Sequence, residues 1–271
     1  MVGWSLAHRG ILGGEAPRRT MRVAVLASAG KDSAYAAWWA TMRGWEVECL
    51  VTVNVTGDDS MMFQLNGTVV AALQAASMRV PWLPVLSGGE EEFEILELEA
   101  ALRGNSDNQA AFVESWPDDW EWPDHLKIRV GAPDIDALVV GALRSDYQKT
   151  RVDRMCERLG IISYSPLWHH ESREHMRSLV EHGFDVRIAS VSSEGLGEMW
   201  LGRKVDDESL SELTELAEAH RFNLDGEGGE FETVVLAAPH MREPIECSAE
   251  SLWDGTRGVW RVVSAGLAPM R

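Results

Sequence analysis

Short apolar runs alternate with amphipathic segments through the first two thirds of this chain, and this alternation restricts the fold more than any other feature. The predicted strands lie at 22–28, 46–53, 82–86, 135–140 and 161–165, and the predicted helices lie near 32–43, 67–79, 90–103 and 146–159. Strands that alternate with helices form βαβ units, whose right-handed crossovers build an open parallel sheet with helices on both faces. We therefore predict an α/β domain over residues 21–166.

The pattern changes after Pro166. Helices are predicted at 171–182 and 207–220, and strands at 184–191 and 231–238, followed by short strands. This mixture predicts a second, smaller α+β domain over residues 167–271.

Two segments fall outside both patterns. Residues 104–131 contain three tryptophans, two prolines and several acidic residues without a clear period, and they predict an inserted acidic surface loop, with a lid or a partner contact as the alternative. The apolar stretch within residues 1–20 is too short and too broken by glycine for a signal peptide. Because Met21 directly precedes the first strand, we interpret residues 1–20 as a disordered extension or the product of an upstream start codon.

Composition excludes several classes of protein. The net charge of −18 argues against non-specific binding of RNA or DNA, which depends on neutralising phosphates, and its simpler interpretation is a solvated acidic surface. The three cysteines are far apart, so neither a disulfide framework nor a zinc site is indicated. No run approaches the ~18 apolar residues of a membrane helix. We predict a cytoplasmic protein that contacts neither membrane nor nucleic acid.

The strongest indication of function is a turn composed of Ser28, Ala29, Gly30, Lys31, Asp32 and Ser33. It joins the first predicted strand to the first predicted helix, so backbone N–H groups and the positive helix end point at a place that suits a phosphate. Gly30 permits close backbone approach, Lys31 can place an ammonium there, and the two serines can donate hydrogen bonds. We predict that Asp32 contacts Mg²⁺, which prefers oxygen ligands; the alternative is that it caps the helix.

A second window follows the fourth predicted strand, at the same carboxyl edge of the sheet. Gly141 and Ala142 leave room for a flat ring or a phosphate. Gln148 and Arg151 are three residues apart and share a helix face, so Arg151 could reach a triphosphate. Helix surfaces often carry such residues without a function. This window alone therefore does not decide between a ligand-binding site and an ordinary helix surface.

The third window is residues 223–233, where three glycines fall within four positions and several carboxylates follow. Such a backbone can approach a ligand closely. Crowded acids without basic neighbours are costly to bury unless they meet a cation or a metal. The alternative interpretation is an exposed acidic turn that leads into a strand.

Together these windows resemble the diphthine–ammonia ligase family, which belongs to the PP-loop ATP pyrophosphatases. The resemblance covers about residues 22–240 and rests on residues 28–33, 59–63, 141–151, 159–160, 165–168 and 226–233. The sequence departs from the family pattern at Ala29, where a glycine is usual, and at Gln64, where a histidine is expected. If position 29 needs a positive φ, the methyl group costs on the order of 1 kcal/mol.

The resemblance implies a HUP-type PP-loop sheet and an ATP- and Mg²⁺-dependent ligase that amidates diphthine on translation elongation factor 2. An acyl-adenylate would form and free ammonia would displace AMP. The implied catalytic residues are Lys31, Asp32 and Arg151. The implied ATP-binding residues are Ser28, Ala29, Gly30, Lys31, Asp32, Ser33, Gly141 and Ala142. The implied substrate-binding residues are Ser60, Met62, Tyr147, Gln148, Glu227, Gly228, Gly229, Glu230, Phe231, Glu232 and Thr233.

Diphthine carries a trimethylammonium group, for which we predict a site formed by carboxylates and an aromatic ring. The candidates are Glu227, Glu230 and Glu232 together with Phe231 or Trp168. Two other functions remain open from the residues alone. One is a tRNA-modifying PP-loop enzyme, which would need a basic surface and often paired cysteines. The other is a non-catalytic nucleotide-binding protein, which would leave residues 226–233 without a role.

Overall fold

The computed structural model describes residues 19–55, 61–88, 93–118 and 120–269, with the backbone alone described at 55, at 61–68 and at 115. All but the last two residues of the predicted extension 1–20 therefore lie outside the described part. Within the described ranges, no helix is both long and apolar enough to cross a membrane.

The first part of the chain forms a five-stranded parallel sheet in the order β3-β2-β1-β4-β5. The strands are β1 (Arg22–Leu26), β2 (Glu46–Val55), β3 (Trp82–Ser87), β4 (Ala137–Val140) and β5 (Ile162–Tyr164). The residues of β4 are all buried, as expected for a strand covered on both faces. The predicted α/β fold with a parallel sheet is confirmed.

Helices cover both faces of this sheet. They are α1 (Lys31–Met42), α2 (Met61–Met78), α3 (Phe93–Leu102), α4 (Asn108–Ser115) and α5 (Asp146–Leu159). Val23 and Val25 face the alanine-rich surfaces of α1 and α2, whereas Ala24 faces α3 and α5, because successive side chains of a strand point to opposite faces. The sequence encodes the ends of α5 locally: the Ser145 side chain accepts a hydrogen bond from Gln148 N, and Gly160 adopts a φ of 72°.

The rest of the chain forms a four-stranded antiparallel sheet in the order β7-β6-β9-β8. Its elements are α6 (Ser172–Glu181), β6 (Asp185–Val191), a 3-10 turn (Glu198–Trp200), α7 (Asp207–His220), β7 (Phe231–Ala237), β8 (Ile245–Trp253) and β9 (Gly258–Leu267). One face packs on α6 and α7, and the other packs on α2 through Val69, Val70 and Leu73. Helix α2 thus lies between the two sheets. The α+β prediction is confirmed, although β8 and β9 are nine and ten residues long and not short.

The prediction that residues 104–131 form an acidic surface loop is wrong in its central part. Residues Asn108–Ser115 form α4, and Trp120 is only 7% exposed. The Trp120 indole donates a hydrogen bond to Val263 O of β9 at 2.9 Å, and the Trp116 indole donates to Trp120 O at 3.0 Å. Because the Trp120 ring is held by a partner 143 positions away, a single amphipathic period does not describe the segment.

Candidate functional site

The turn that follows β1, residues 28–33, is termed the phosphate loop below. Ala29 has a φ of 66°, the left-handed conformation that glycine adopts without strain, and it is buried. Its carbonyl accepts hydrogen bonds from Val235 N at 2.9 Å and from the Gln74 amide at 3.1 Å. These contacts hold an alanine where the methyl group costs about 1 kcal/mol relative to glycine.

Helix α1 begins inside this loop. Gly30 is the N-cap residue and provides no side-chain cap. The backbone N–H of Lys31 instead donates to Thr233 Oγ1 of β7 at 3.1 Å. The Ser33 hydroxyl accepts from Ser28 N at 3.2 Å and donates to Gly30 O at 3.0 Å, which closes the turn. The cap of α1 is therefore supplied by a distant hydroxyl, and the alternative that Asp32 caps this helix is wrong.

Asp32 lies at the centre of a buried charged cluster. One carboxylate oxygen accepts from the Lys31 ammonium at 2.9 Å, and the other lies 2.7 Å from His175 Nε2. The Lys31 side chain is 6% exposed and that of His175 is fully buried. Burial raises the pKa of the Asp32 carboxyl, but the charge of Lys31 and the hydrogen bond from His175 outweigh it, so this pKa lies below its usual value. The carboxylate is thus ionised and held in one orientation.

Gly141 follows β4 and packs directly against the start of α1. A Cβ atom at this position would lie 2.6 Å from the carbonyl carbon of Asp32 and 2.8 Å from Ser33 N. The space on the Cβ side of Gly141 is therefore filled by helix backbone, but Gly141 itself also lines a cavity. Ala142, the next residue, lines the same cavity, and ligand binding by these two residues stays a prediction.

That cavity, the edge cavity, lies at the carboxyl edge of the parallel sheet and has a volume of about 610 Å³. Its walls include Ser28, Asp32, Ala142, Tyr147, Gln148 and Arg151. The Arg151 guanidinium lies 4.0 Å from the centre of the Tyr147 ring. Tyr147 is half exposed. The structure therefore brings the second sequence window next to the phosphate loop, as predicted from their common sheet edge.

A second cavity of about 710 Å³, the inter-sheet cavity, lies between the two sheets. Its walls include Lys31, Glu227, Phe231, Glu232, Thr233 and Trp260. Several residues line both cavities, among them Ser28, Asp32, Glu94, Ser145, Gln148 and Glu227. The phosphate loop is thus part of a wall shared by two adjoining cavities.

The acidic side chains of Asp225 and Glu227 contact Arg144, in the loop after β4. Asp225 is fully buried and pairs with the Arg144 guanidinium at 2.9 Å. The Glu227 carboxylate accepts from Arg144 N at 3.1 Å. Burial raises the pKa of Glu227, against the effect of that hydrogen bond, and the nearby charges of Asp32 and Asp225 raise it further. Glu227 is therefore easier to protonate than an ordinary glutamate.

Glu230 faces its own loop. Its carboxylate accepts hydrogen bonds from Asn223 N at 2.8 Å, the Asn223 amide at 2.9 Å and Gly228 N at 2.8 Å. These bonds stabilise the glycine-rich turn, so we leave Glu230 out of the candidate cation site. Trp168 is likewise absent from the described residues that line either cavity, whereas Trp260 lines the inter-sheet cavity.

The remaining candidates differ in what the structure describes. Gly229 lines the inter-sheet cavity and Gly228 is exposed. Ser60 lies outside the described residues, and the side chains of Met62 and Gln64 are not described. These positions stay predictions.

Sequence reasoning missed four residues of the site: Gln74, Glu94, His175 and Trp260. His175 lies 143 positions from Asp32, and Gln74 lies 45 positions from Ala29. No local motif marks any of them. The one signal that Gln74 offers is its position between the alanine pairs of α2, where a polar side chain is buried.

Comparison with known proteins places these features in a family. Residues 21–115 and 117–163 match the diphthamide synthase N-terminal domain model, and residues 171–267 match the diphthamide synthase C-terminal domain model. A Homo sapiens protein named diphthine–ammonia ligase is 28% identical over 235 residues, which cover 83% of this chain and 82% of that protein. Proteins of the same name from Schizosaccharomyces pombe and Saccharomyces cerevisiae are 27% and 31% identical over 88% and 82% of this chain.

The chain spans most of the human relative but only 38% and 34% of the two yeast proteins. The two domain models together match both sheets described above, and the first model alone matches more than half of the chain. The chain belongs to the diphthamide synthase family of diphthine–ammonia ligases.

Proposed function

We propose that this protein is an ATP-dependent ligase that joins ammonia to the carboxylate of diphthine on translation elongation factor 2. The observation that carries this proposal is the pair of adjoining cavities with the phosphate loop in their shared wall. A nucleotide in the edge cavity would present its phosphates to an acceptor in the inter-sheet cavity. Residues 21–166 would then bind the nucleotide, and residues 167–271 would supply much of the acceptor site.

The reaction consists of two displacements. An oxygen of the diphthine carboxylate attacks the α-phosphorus of ATP, which forms an acyl-adenylate and releases pyrophosphate. Ammonia then attacks the acyl carbon, the C–O bond to AMP breaks, and the nitrogen loses a proton to give the amide. The Lys31 ammonium and the Arg151 guanidinium would offset charge on the phosphates, and the N–H groups at the start of α1 would donate to them. The protein contributes mainly positioning and charge stabilisation.

The Asp32 carboxylate fits the Mg²⁺ that accompanies ATP. It lines both cavities, and each of its oxygens has a further lone pair beyond the contact that it makes with Lys31 or His175. Mg²⁺ is usually held by one or two carboxylates together with phosphates and water. Within the described ranges, no group of three potential metal-binding side chains occurs. The ion would neutralise part of the phosphate charge.

The inter-sheet cavity also suits the trimethylammonium group of diphthine. Two glutamates, Glu227 and Glu232, and two aromatic residues, Phe231 and Trp260, are among the residues that line it. Aromatic faces attract a quaternary ammonium ion by roughly 0.5–2 kcal/mol, and nearby carboxylates add to this. The proposed substrate is a translation factor, so we also propose a cytoplasmic location.

The decisive experiment measures AMP and pyrophosphate in a reaction of purified protein, MgATP, ammonium chloride and elongation factor 2 that carries diphthine. We expect AMP formation only when acceptor and ATP are both present, and amide formation only when ammonium is added. Elongation factor 2 without the modification serves as the matched control.

Two outcomes would contradict the proposal. Nucleotide that is bound but never cleaved would favour a non-catalytic nucleotide-binding protein. AMP formation that depends on tRNA, with no response to diphthine, would favour an RNA-modifying enzyme.

A further inference from the structure

Strand β7 forms direct hydrogen bonds with the phosphate loop. Val235 N donates to Ala29 O at 2.9 Å, and Lys31 N donates to Thr233 Oγ1 at 3.1 Å. The Gln74 amide joins the two segments, since it donates to Ala29 O at 3.1 Å and to Val235 O at 2.8 Å. A loop that belongs to the first sheet is therefore held in place by a strand of the second sheet.

The hydroxyl of Thr233 performs a task that α1 cannot perform for itself. The first N–H groups of a helix have no partner within the helix, and a side chain at the N-cap position usually accepts one of them. Gly30 occupies the N-cap position and has no side chain, and a Cβ atom there would lie only 3.3 Å from Thr233 O. Thr233 supplies the missing acceptor from a position 202 residues away.

Thr233 also lines the inter-sheet cavity, so it touches the proposed acceptor site and the proposed nucleotide site at once. We propose that Thr233 is a positioning residue, whose hydroxyl caps α1 and thereby sets the affinity of the phosphate loop for nucleotide. This inference depends on the proposed function in one respect: the phosphate loop must bind a nucleotide. The competing role for Thr233 is contact with the acceptor alone.

The two roles make different predictions for nucleotide affinity when no acceptor is present: a positioning residue affects it, and a residue that contacts the acceptor alone does not. Thr233→Val keeps the branched shape that suits a strand but removes the hydrogen-bond acceptor, whereas Thr233→Ser keeps the hydroxyl. We expect the dissociation constant for a non-hydrolysable ATP analogue with MgCl₂, measured by calorimetry on the full chain, to rise about tenfold in Thr233→Val. Thr233→Ser should stay within about threefold of the parent protein.

Thermal unfolding shows whether Thr233→Val is folded. If it is not, Thr233→Ala is used in its place, because it also lacks the hydroxyl. Equal nucleotide affinity in the parent protein and in the folded variant without the hydroxyl would overturn the role of Thr233. Tighter binding by that variant would overturn it as well, because Thr233 would then compete with a phosphate for the Lys31 N–H. A parent protein that binds no nucleotide is a separate result, which overturns the proposed function itself.

Discussion

Replacing Gly141 by alanine tests how closely the phosphate loop depends on the parallel sheet. The added Cβ would lie 2.6 Å from the Asp32 carbonyl carbon, 2.7 Å from its oxygen and 2.8 Å from Ser33 N, whereas ordinary contact begins at 3.4 Å. All three atoms belong to the backbone, so no change of rotamer relieves the overlap. The start of α1 must move by about 0.8 Å relative to β4. Overpacking of this kind typically costs about 1–3 kcal/mol of unfolding free energy.

The displacement should affect activity more than stability. For a chain of this size, each kcal/mol lowers the melting temperature by roughly 2–4 °C. A shift that approaches 1 Å in a group that positions a substrate can lower the rate on the order of a hundredfold. We therefore expect Gly141→Ala to remain folded, with a lower melting temperature, while its rate of AMP formation falls at least tenfold. Thermal unfolding and a pyrophosphate-release assay measure the two effects.

Gly197→Ala is the matched control. Gly197 has a φ of −93°, which any residue adopts, and no atom lies within 4 Å of the position of its Cβ. This variant should keep both the melting temperature and the rate of the parent protein. If Gly141→Ala behaves like Gly197→Ala in both assays, then the close approach of α1 to β4 does not position the phosphate loop, and the reasoning fails.

Three further predictions concern ionisable groups. Lys31→Met should lower kcat/KM for ATP on the order of a hundredfold, because it removes the ammonium proposed to face the phosphates, and an unchanged rate of pyrophosphate release would refute this. His175→Leu leaves one oxygen of Asp32 without its partner and should lower the free energy of unfolding in urea by about 1–3 kcal/mol, whereas His175→Gln can still donate and should lower it less; equal losses would refute the pairing. Burial lowers the pKa of His240 to about 4, so its contribution to stability is complete above the unfolded pKa of 6.5 and is lost as pH falls towards 4. Between pH 7.5 and pH 5, the free energy of unfolding of the parent protein should therefore fall by about 2 kcal/mol more than that of His240→Gln. Equal decreases for the two proteins in urea titrations would contradict this.

The element pattern was largely predictable because it depends on local periodicity. Each strand of the parallel sheet was expected within a few residues of its observed ends, and Gly160 marked the end of α5. Prediction failed at residues 104–131. There Trp120 forms a hydrogen bond with Val263, and no hydrophobic period within its own segment indicates that it is buried. A contact between residues 143 positions apart leaves no trace in the local sequence.

In the candidate site too, the local motif was predictable and the contacts with distant residues were not. The motif at residues 28–33 located the phosphate loop, because a strand, a turn of small residues and a helix are contiguous in sequence. Its surroundings were not predictable. Glu230 was expected to face a cation and instead holds its own turn, while the orientation of Asp32 depends on His175.

The order of residues along the chain determined the parallel sheet, the turn after its first strand and the family to which the protein belongs, since each of these follows from neighbouring residues. Which groups complete that turn depends on how the two sheets pack in space. The N-terminus of α1 has no cap in its own segment, and Thr233 reaches it because the second sheet packs against α2 and brings β7 alongside. Unsatisfied N–H groups at a helix end must find acceptors in space, and the distance along the chain does not constrain where those acceptors come from.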